Sequence, residues 1–340
     1  MNKTLFTIVF FAALLFFSND KVFSKSWRIN SDATKKPHFT SINAAMDSVS
    51  AGDTLYLDPG TNITAEQTIS KQVTVIGPGY FLETIQPATI SNYLFIRAPY
   101  TKLEGVTFTR NVRIDAHHVT IERCHVATWI DGHIGTYNRQ YATIRQCYIT
   151  QQIWGGGPSE ANSSLWTIEN NIIISKDRGI CNLCNATVRN NYIRTNGNSA
   201  SSYGVIYYSN NDIYNNIFIN ISNSNDVYYY ANYDISSGKI SNNVCSATNY
   251  YTEGNRVGYT SESELFTLEG SNENRYRLKD DSPAKGFATD GGDCGPFGGM
   301  YPYVLSGFPL GMPHFESSNV PTRPQDGQLR VTQKVVLQGE

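Results

Sequence analysis

Ile168-Glu-Asn-Asn171, Val188-Arg-Asn-Asn191, Ile213-Tyr-Asn-Asn216 and Ile240-Ser-Asn-Asn243 are four copies of one short phrase. Three looser copies precede them: Leu103-Glu-Gly-Val106, Ile121-Glu-Arg-Cys124 and Ile144-Arg-Gln-Cys147. The anchors are 18, 23, 24, 20, 25 and 27 residues apart. In most copies an apolar residue recurs two places beyond the last slot, at Phe108, Val126, Ile149, Ile173, Ile193 and Phe218. A repeat of this period carried by β-type residues predicts a coiled solenoid, each copy being one turn of a helix made of strands.

A unit of that size cannot bury its own apolar face, so neighbouring coils stack and share one continuous core. Equivalent residues then lie above one another at roughly 4.8 Å. Asn171, Asn191, Asn216 and Asn243 are expected to form a ladder, with Cys124 and Cys147 filling the same slot in earlier coils. An asparagine tolerates the left-handed conformation of a tight turn, and its amide both donates and accepts. A small buried thiol packs well at such a slot.

Other motifs flank the repeats. Phe39-Thr-Ser-Ile42-Asn-Ala-Ala45-Met46 runs through Gly52-Asp53-Thr-Leu55-Tyr-Leu57-Asp-Pro59-Gly60 near the start. Tyr276-Arg-Leu278-Lys-Asp-Asp-Ser282-Pro283-Ala284 and Asp293-Cys-Gly295-Pro-Phe297-Gly298-Gly299 stand near the end. On these residues the chain resembles the right-handed parallel β-helix proteins of the pectin lyase-like superfamily. The resemblance implies an all-β, single-stranded right-handed parallel β-helix of about eight coils over residues 25–300. It implies a capping helix at about 39–52, an irregular closing coil at about 249–300 and an extended tail at 301–340. The family contains lyases, hydrolases and adhesins, so the fold alone names no reaction.

Lys3, a thirteen-residue apolar run from Leu5 to Phe17 and the small-residue site Val22-Phe-Ser24 read as a signal peptide over residues 1–24. The run is too short for a membrane span, so the expectation is an exported protein: secreted, periplasmic or at the cell surface, with no transmembrane segment in the mature chain. Losing Lys3, Lys21 and Asp20 with the leader moves the net charge from −2 to −3. That balance argues against a nucleic-acid partner held by bulk charge. Cys181 and Cys184 form a lone C-x-x-C with no second pair to complete a zinc site, which reads as packing or a local disulfide.

Thr40 is the expected cap of a helix carrying Ile42, Ala45, Met46 and Val49 at helical spacing. The longest loops, Gly155-Gly156-Gly157-Pro158 among them, are assigned to the connection before the first strand of each coil. In β-helix lyases the site lies outside the sheet of first strands. Here those strands are expected at Val112-Arg-Ile-Asp115, Gly132-His-Ile-Gly135, Arg178-Gly-Ile-Cys181, Tyr203-Gly-Val-Ile-Tyr207 and Asp226-Val-Tyr-Tyr-Tyr230. With Ile114, Ile134 and Ile180 inward, Arg113, Asp115 and His133 point outward.

Lyase chemistry needs a base for the proton beside a uronate carboxylate and a cation to neutralise the developing enolate. Lys176, Arg178 and His133 are the catalytic candidates, with Arg113 and Asp115 as substrate contacts. The competing reading of Lys176-Asp177-Arg178 is an ordinary solvated loop. No cofactor is identified: the calcium-binding carboxylate group of the pectate lyases is not visible in the sequence, although Asp115, Asp131, Glu160 and Asp177 could converge in space to hold a calcium ion. Asp131-Gly-His133 lacks the aspartate cluster of the hydrolases, which ranks hydrolysis below lyase chemistry. Eight of 22 tyrosines fall between Tyr203 and Tyr233. Outward members of this set, Tyr207, Tyr228 and Tyr230, are expected to stack on sugar rings, with others in the core. The leading expectation is an exported protein that binds a polysaccharide, with β-elimination as the cleavage open to it if it is an enzyme. The alternative is a non-catalytic envelope or adhesin-like module.

Overall fold

Ile121 is flanked in perfect register by Leu103 on one side and Ile144 on the other, and this pairing repeats from coil to coil. The computed structural model describes residues 24–132, 139–155, 165–196, 211–220, 239–246, 253–270 and 272–308, together with the backbone of 203–209, 227–229, 313–319 and 332–337. Its repeats build three long parallel sheets of ten, ten and eight strands, in which each strand neighbours its equivalent one coil away. The first sheet runs from Ser26–Ile29 to Ile240–Ser241, the second from Asn62–Ile63 to Arg256–Val257, the third from Gln67–Ile69 to Val227–Tyr229. The chain is a parallel β-helix.

Alternation on each strand fills the lumen. Leu55, Val75, Leu103, Ile121, Ile144, Ile168, Val188 and Ile213 form one in-register column of the first sheet, all wholly buried. Each such side chain contributes about 1.5–3 kcal/mol by leaving water. The second sheet supplies Ile90, Phe108, Val126, Ile149, Ile173, Ile193 and Phe218 to the same core. Eight coils carry a strand in each of the three sheets, as expected, and Ser26–Ile29 adds one more strand by pairing with Thr54–Leu57 ahead of the first of them. The cap helix Ile42–Met46 lies between these two strands in the chain and buries Ile42, Ala45 and Met46, with Val49 just beyond it. Ser41, not Thr40, caps it: the Ser41 hydroxyl accepts from the Ala44 N–H at 3.1 Å.

The asparagine amides bond in succession. Asn171 Nδ2 donates to Asn191 Oδ1 at 2.9 Å, Asn191 to Asn216 at 3.0 Å and Asn216 to Asn243 at 3.0 Å. Each acceptor oxygen also takes the backbone N–H of the preceding asparagine. Asn255, which the repeat phrase did not reveal, continues the column by accepting from Asn243. Cys147 fits the series through its thiol, which reaches the Ile121 and Arg145 carbonyls. The matching carbonyls, Ile168 and Arg189, receive Asn191.

The left-handed residue of the turn is the one before the ladder. Gly105, Arg123, Gln146, Asn170, Asn190, Asn215 and Asn242 all have φ between 50° and 65°. The second asparagine of each phrase therefore bonds along the axis, while the first tolerates αL and turns outward. Those outward amides hold the C-terminal segment as it runs back along the turns. Asn242 donates to the Phe287 carbonyl, Asn215 to Thr289, Asn170 to the Pro296 and Gly298 carbonyls, and Gln146 to the Pro302 carbonyl.

The C-terminal segment also covers the outer face of the second sheet, where Ile172, Tyr192, Ile217 and Val244 pack against Leu265, Phe266, Tyr276 and Cys294. Pro313–Asn319 and Thr332–Leu337 pair as an antiparallel hairpin. All six cysteines are buried and none is joined to another in a disulfide, Cys181 and Cys184 included. Near this cover His125 lies among Tyr80, Phe81 and Tyr148, with ring centroids 5.7, 5.0 and 5.8 Å away. Burial lowers its pKa to about 4.

Two measurements check this account. Replacing Asn191 by Leu strands amide partners on both sides and is expected to cost about 1–3 kcal/mol in urea unfolding; an unchanged midpoint contradicts the ladder. An unfolded histidine titrates near 6.5, so between pH 6.5 and about 4 the unfolded chain takes up the His125 proton that the folded chain refuses. Stability is thus expected to fall on acidification through that window, by up to about 3 kcal/mol from this group. His125→Gln should flatten that part of the stability profile.

Candidate functional site

The three outer faces differ in what remains open. On the first sheet the outward row Glu104, Glu122, Arg145, Glu169 and Arg189 is in register, and its charges pair with one another. Lys102 and Arg123 bridge Glu104 and Glu122, Arg145 bridges Glu122 and Arg189 bridges Glu169. Burial pushes the Glu122 carboxyl up, but Lys102, Arg123 and Arg145 together hold it below its ordinary value. The second sheet lies under the C-terminal segment. The third sheet keeps an outward row of Thr68, Phe95, Arg113, Asp131 and Trp154, each half-buried.

This row is built by alternation. Leu94, Val112, Ile130 and Ile153 point into the lumen, so the next residue of each strand points out. Phe95 stands beside Tyr93, which is 42% exposed, with ring centroids 6.3 Å apart. The Arg97 and Arg113 guanidiniums lie 5.4 and 5.7 Å from the Phe95 ring centre. Two coils further on, Trp129 and Trp154 stack at 5.7 Å and 14°. The indole N–H of Trp129 donates to the Gln151 side-chain oxygen, fixing the ring.

Beside the row sits a charged pair. Arg113 Nε donates to Asp115 Oδ1 at 3.0 Å, and the same oxygen is 3.6 Å from buried Arg139. Burial pulls the Arg139 pKa down, and Asp115 is the main opposing influence. Below, Trp166 is wholly buried and donates to the Arg139 carbonyl at 2.6 Å. The fit at Gly132 is close, since a Cβ would lie 3.0 Å from the Trp166 ring and 3.2 Å from the Trp154 carbonyl, and one of them would have to give by a few tenths of an ångström.

The sequence-derived residues fall as follows. Arg113 and Asp115 meet on the third sheet, with Arg113 outward and Asp115 buried against it. The strand expected at Gly132–Gly135 is instead Ile130–Asp131, and a further strand, Ile153–Trp154, stands between it and Arg178–Cys184. His133 and Tyr230 lie outside the described residues, as does Glu160; Tyr207 and Tyr228 are described as backbone strands of the third sheet. Lys176 is exposed and Arg178 half-buried at the entry to their strand. That strand is three spacings from the Arg113 strand, roughly 14 Å, so Lys176 and Arg178 stand together but apart from the Arg113–Asp115 pair.

The Gly155 loop also follows a third-sheet strand instead of preceding one. Among the described residues no group of three or more His, Cys, Asp or Glu side chains is gathered that could hold a metal ion, so Asp115, Asp131 and Asp177 do not converge. No helix of the described residues is long and apolar enough to cross a membrane. Trp129, Asp131 and Trp154 were missed as a group because the two-residue shift of one strand and the omission of another hid their common row. The inward-outward dyads Ile130-Asp131 and Ile153-Trp154, 23 residues apart, carried that signal.

No family model matches the chain, and neither does any curated protein.

Trp166→Ala should empty the space beneath Gly132 and cost about 3–5 kcal/mol. A thermal melt lying within a degree or so of the parent would show that the third-sheet face does not rest on this indole.

Proposed function

We propose that the protein is an exported β-helix that binds a polysaccharide along the outer face of its third sheet, as a glycan-binding module of the pectin lyase-like kind. One observation carries this reading: two aromatic pairs, Tyr93 with Phe95 and Trp129 with Trp154, share one face with the Arg113–Asp115 pair between them. Sugar rings present apolar C–H faces to aromatic planes, and hydroxyl groups take hydrogen bonds from a guanidinium and give them to a carboxylate. A regular sheet holds such groups more rigidly than loops do.

Lys176 and Arg178 stand roughly 14 Å from Arg113, past Trp154 along the sheet, so the Arg113–Asp115 pair has neither candidate base beside it, and we put binding ahead of β-elimination. Export is supported by the leader-like start of the sequence.

The test is tryptophan fluorescence of the mature chain titrated with a panel of polysaccharides, alongside an assay for unsaturated sugar product. Binding that Arg113→Ala or Trp154→Ala weakens, with no product formed and no effect of Lys176→Ala, is the expected result. Product formation lost in Lys176→Ala or Arg178→Ala would establish a lyase instead. A panel that leaves the fluorescence unchanged removes the glycan reading.

A further inference from the structure

We infer that the third-sheet face is built for an uncharged glycan, held by stacking and hydrogen bonds and not by ion pairing; this rests on the glycan-binding reading above. The charges at its centre are already balanced. Arg113 commits its Nε to Asp115 at 3.0 Å, and Arg139 lies 3.6 Å from the same carboxylate. Asp131 is the immediate neighbour of Arg113 in the outward row. Two guanidiniums therefore stand among two carboxylates, and an incoming sugar carboxylate would meet repulsion from the acids comparable to its attraction to the arginines.

The remaining cations are marginal. Arg97, Arg110 and Lys176 are exposed, and Arg178, half-buried on the strand beyond Trp154, directly follows Asp177; exposed ion pairs gain little because water and salt screen them. Nor can a cation easily bridge a polyanion to this face, since the described residues gather no carboxylate group able to hold one. The balance lies with the aromatic surface. Trp129 is fixed by Gln151 and by its stack on Trp154, so its plane is set before any ligand arrives. Pre-set aromatic planes favour binding because little side-chain freedom is lost.

This predicts a particular selectivity and salt response. The experiment titrates the mature chain with uncharged oligosaccharides (β-glucan, xylan and mannan fragments) and with oligogalacturonate of equal length. Tryptophan fluorescence is read at low and high salt, and each variant is checked by its thermal melt. At least one uncharged oligosaccharide should bind more tightly than the oligogalacturonate, with an affinity that changes less than about twofold across the salt series. Trp154→Ala should weaken it by roughly tenfold or more, while Trp154→Phe, which keeps an aromatic plane, should retain most of the affinity.

Tighter binding of the oligogalacturonate, falling steeply with salt and still sensitive to Trp154→Ala, would overturn the inference and leave the glycan-binding face standing. If neither class of sugar perturbs the fluorescence, the face reading and this inference fall together.

Discussion

Successive coils must stay in register, and everything else in this molecule follows from that constraint. A slip by one residue would turn every inward side chain of a strand outward, so the register needs a device that reads position residue by residue. The amide column from Asn171 to Asn255 does this. From Asn191 to Asn243 each side chain accepts from the backbone and amide of the previous asparagine, and its own Nδ2 donates to the next. A displaced coil would leave buried amides without partners, a larger penalty than the bonds' net worth. Packing of isoleucine on isoleucine supplies most of the stability, and the amides choose which isoleucine meets which.

Register also decides how each face is used. Where the outward row alternates acid and base, as from Glu122 to Arg189, neighbours neutralise one another and the face is satisfied internally. Where the outward row of the second sheet is apolar or aromatic, the returning C-terminal segment covers it. The third sheet is left with aromatic planes and a half-buried Arg113 facing solvent, its charge compensated by the buried Asp115. A repeating scaffold thus yields three chemically different flanks from one set of backbone bonds.

The solenoid was legible in the sequence because its signal is redundant: seven phrases with apolar anchors state the same strand, turn and strand. The roles within the phrase were less legible. Both asparagines of Asn-Asn look suited to a tight turn, and only the backbone angles separate Asn190, at φ 53°, from the ladder member Asn191. The strand Ser26–Ile29 has no phrase to announce it, and it pairs across an intervening helix. Arg113 and Asp115 were found because their strand alternates cleanly. Trp129 and Trp154 were not, since two-residue strands such as Ile130–Asp131 and Ile153–Trp154 carry too little pattern to fix a boundary when long loops follow them.

The strap that binds the αL amides could not be anticipated either, because its contacts join residues from 45 to 156 positions apart, as between Asn242 and Phe287 and between Gln146 and Pro302. Such pairings leave no local periodicity.

The most direct test of the register claim is native-state hydrogen exchange of the side-chain amides of Asn171, Asn191, Asn216 and Asn243, resolved by NMR. Protons that bridge neighbouring coils should exchange only when the solenoid opens, at rates matching the slowest backbone amides of Ile168, Val188 and Ile213. Side-chain protons exchanging as fast as those of a solvent-exposed asparagine such as Asn62 would contradict the account.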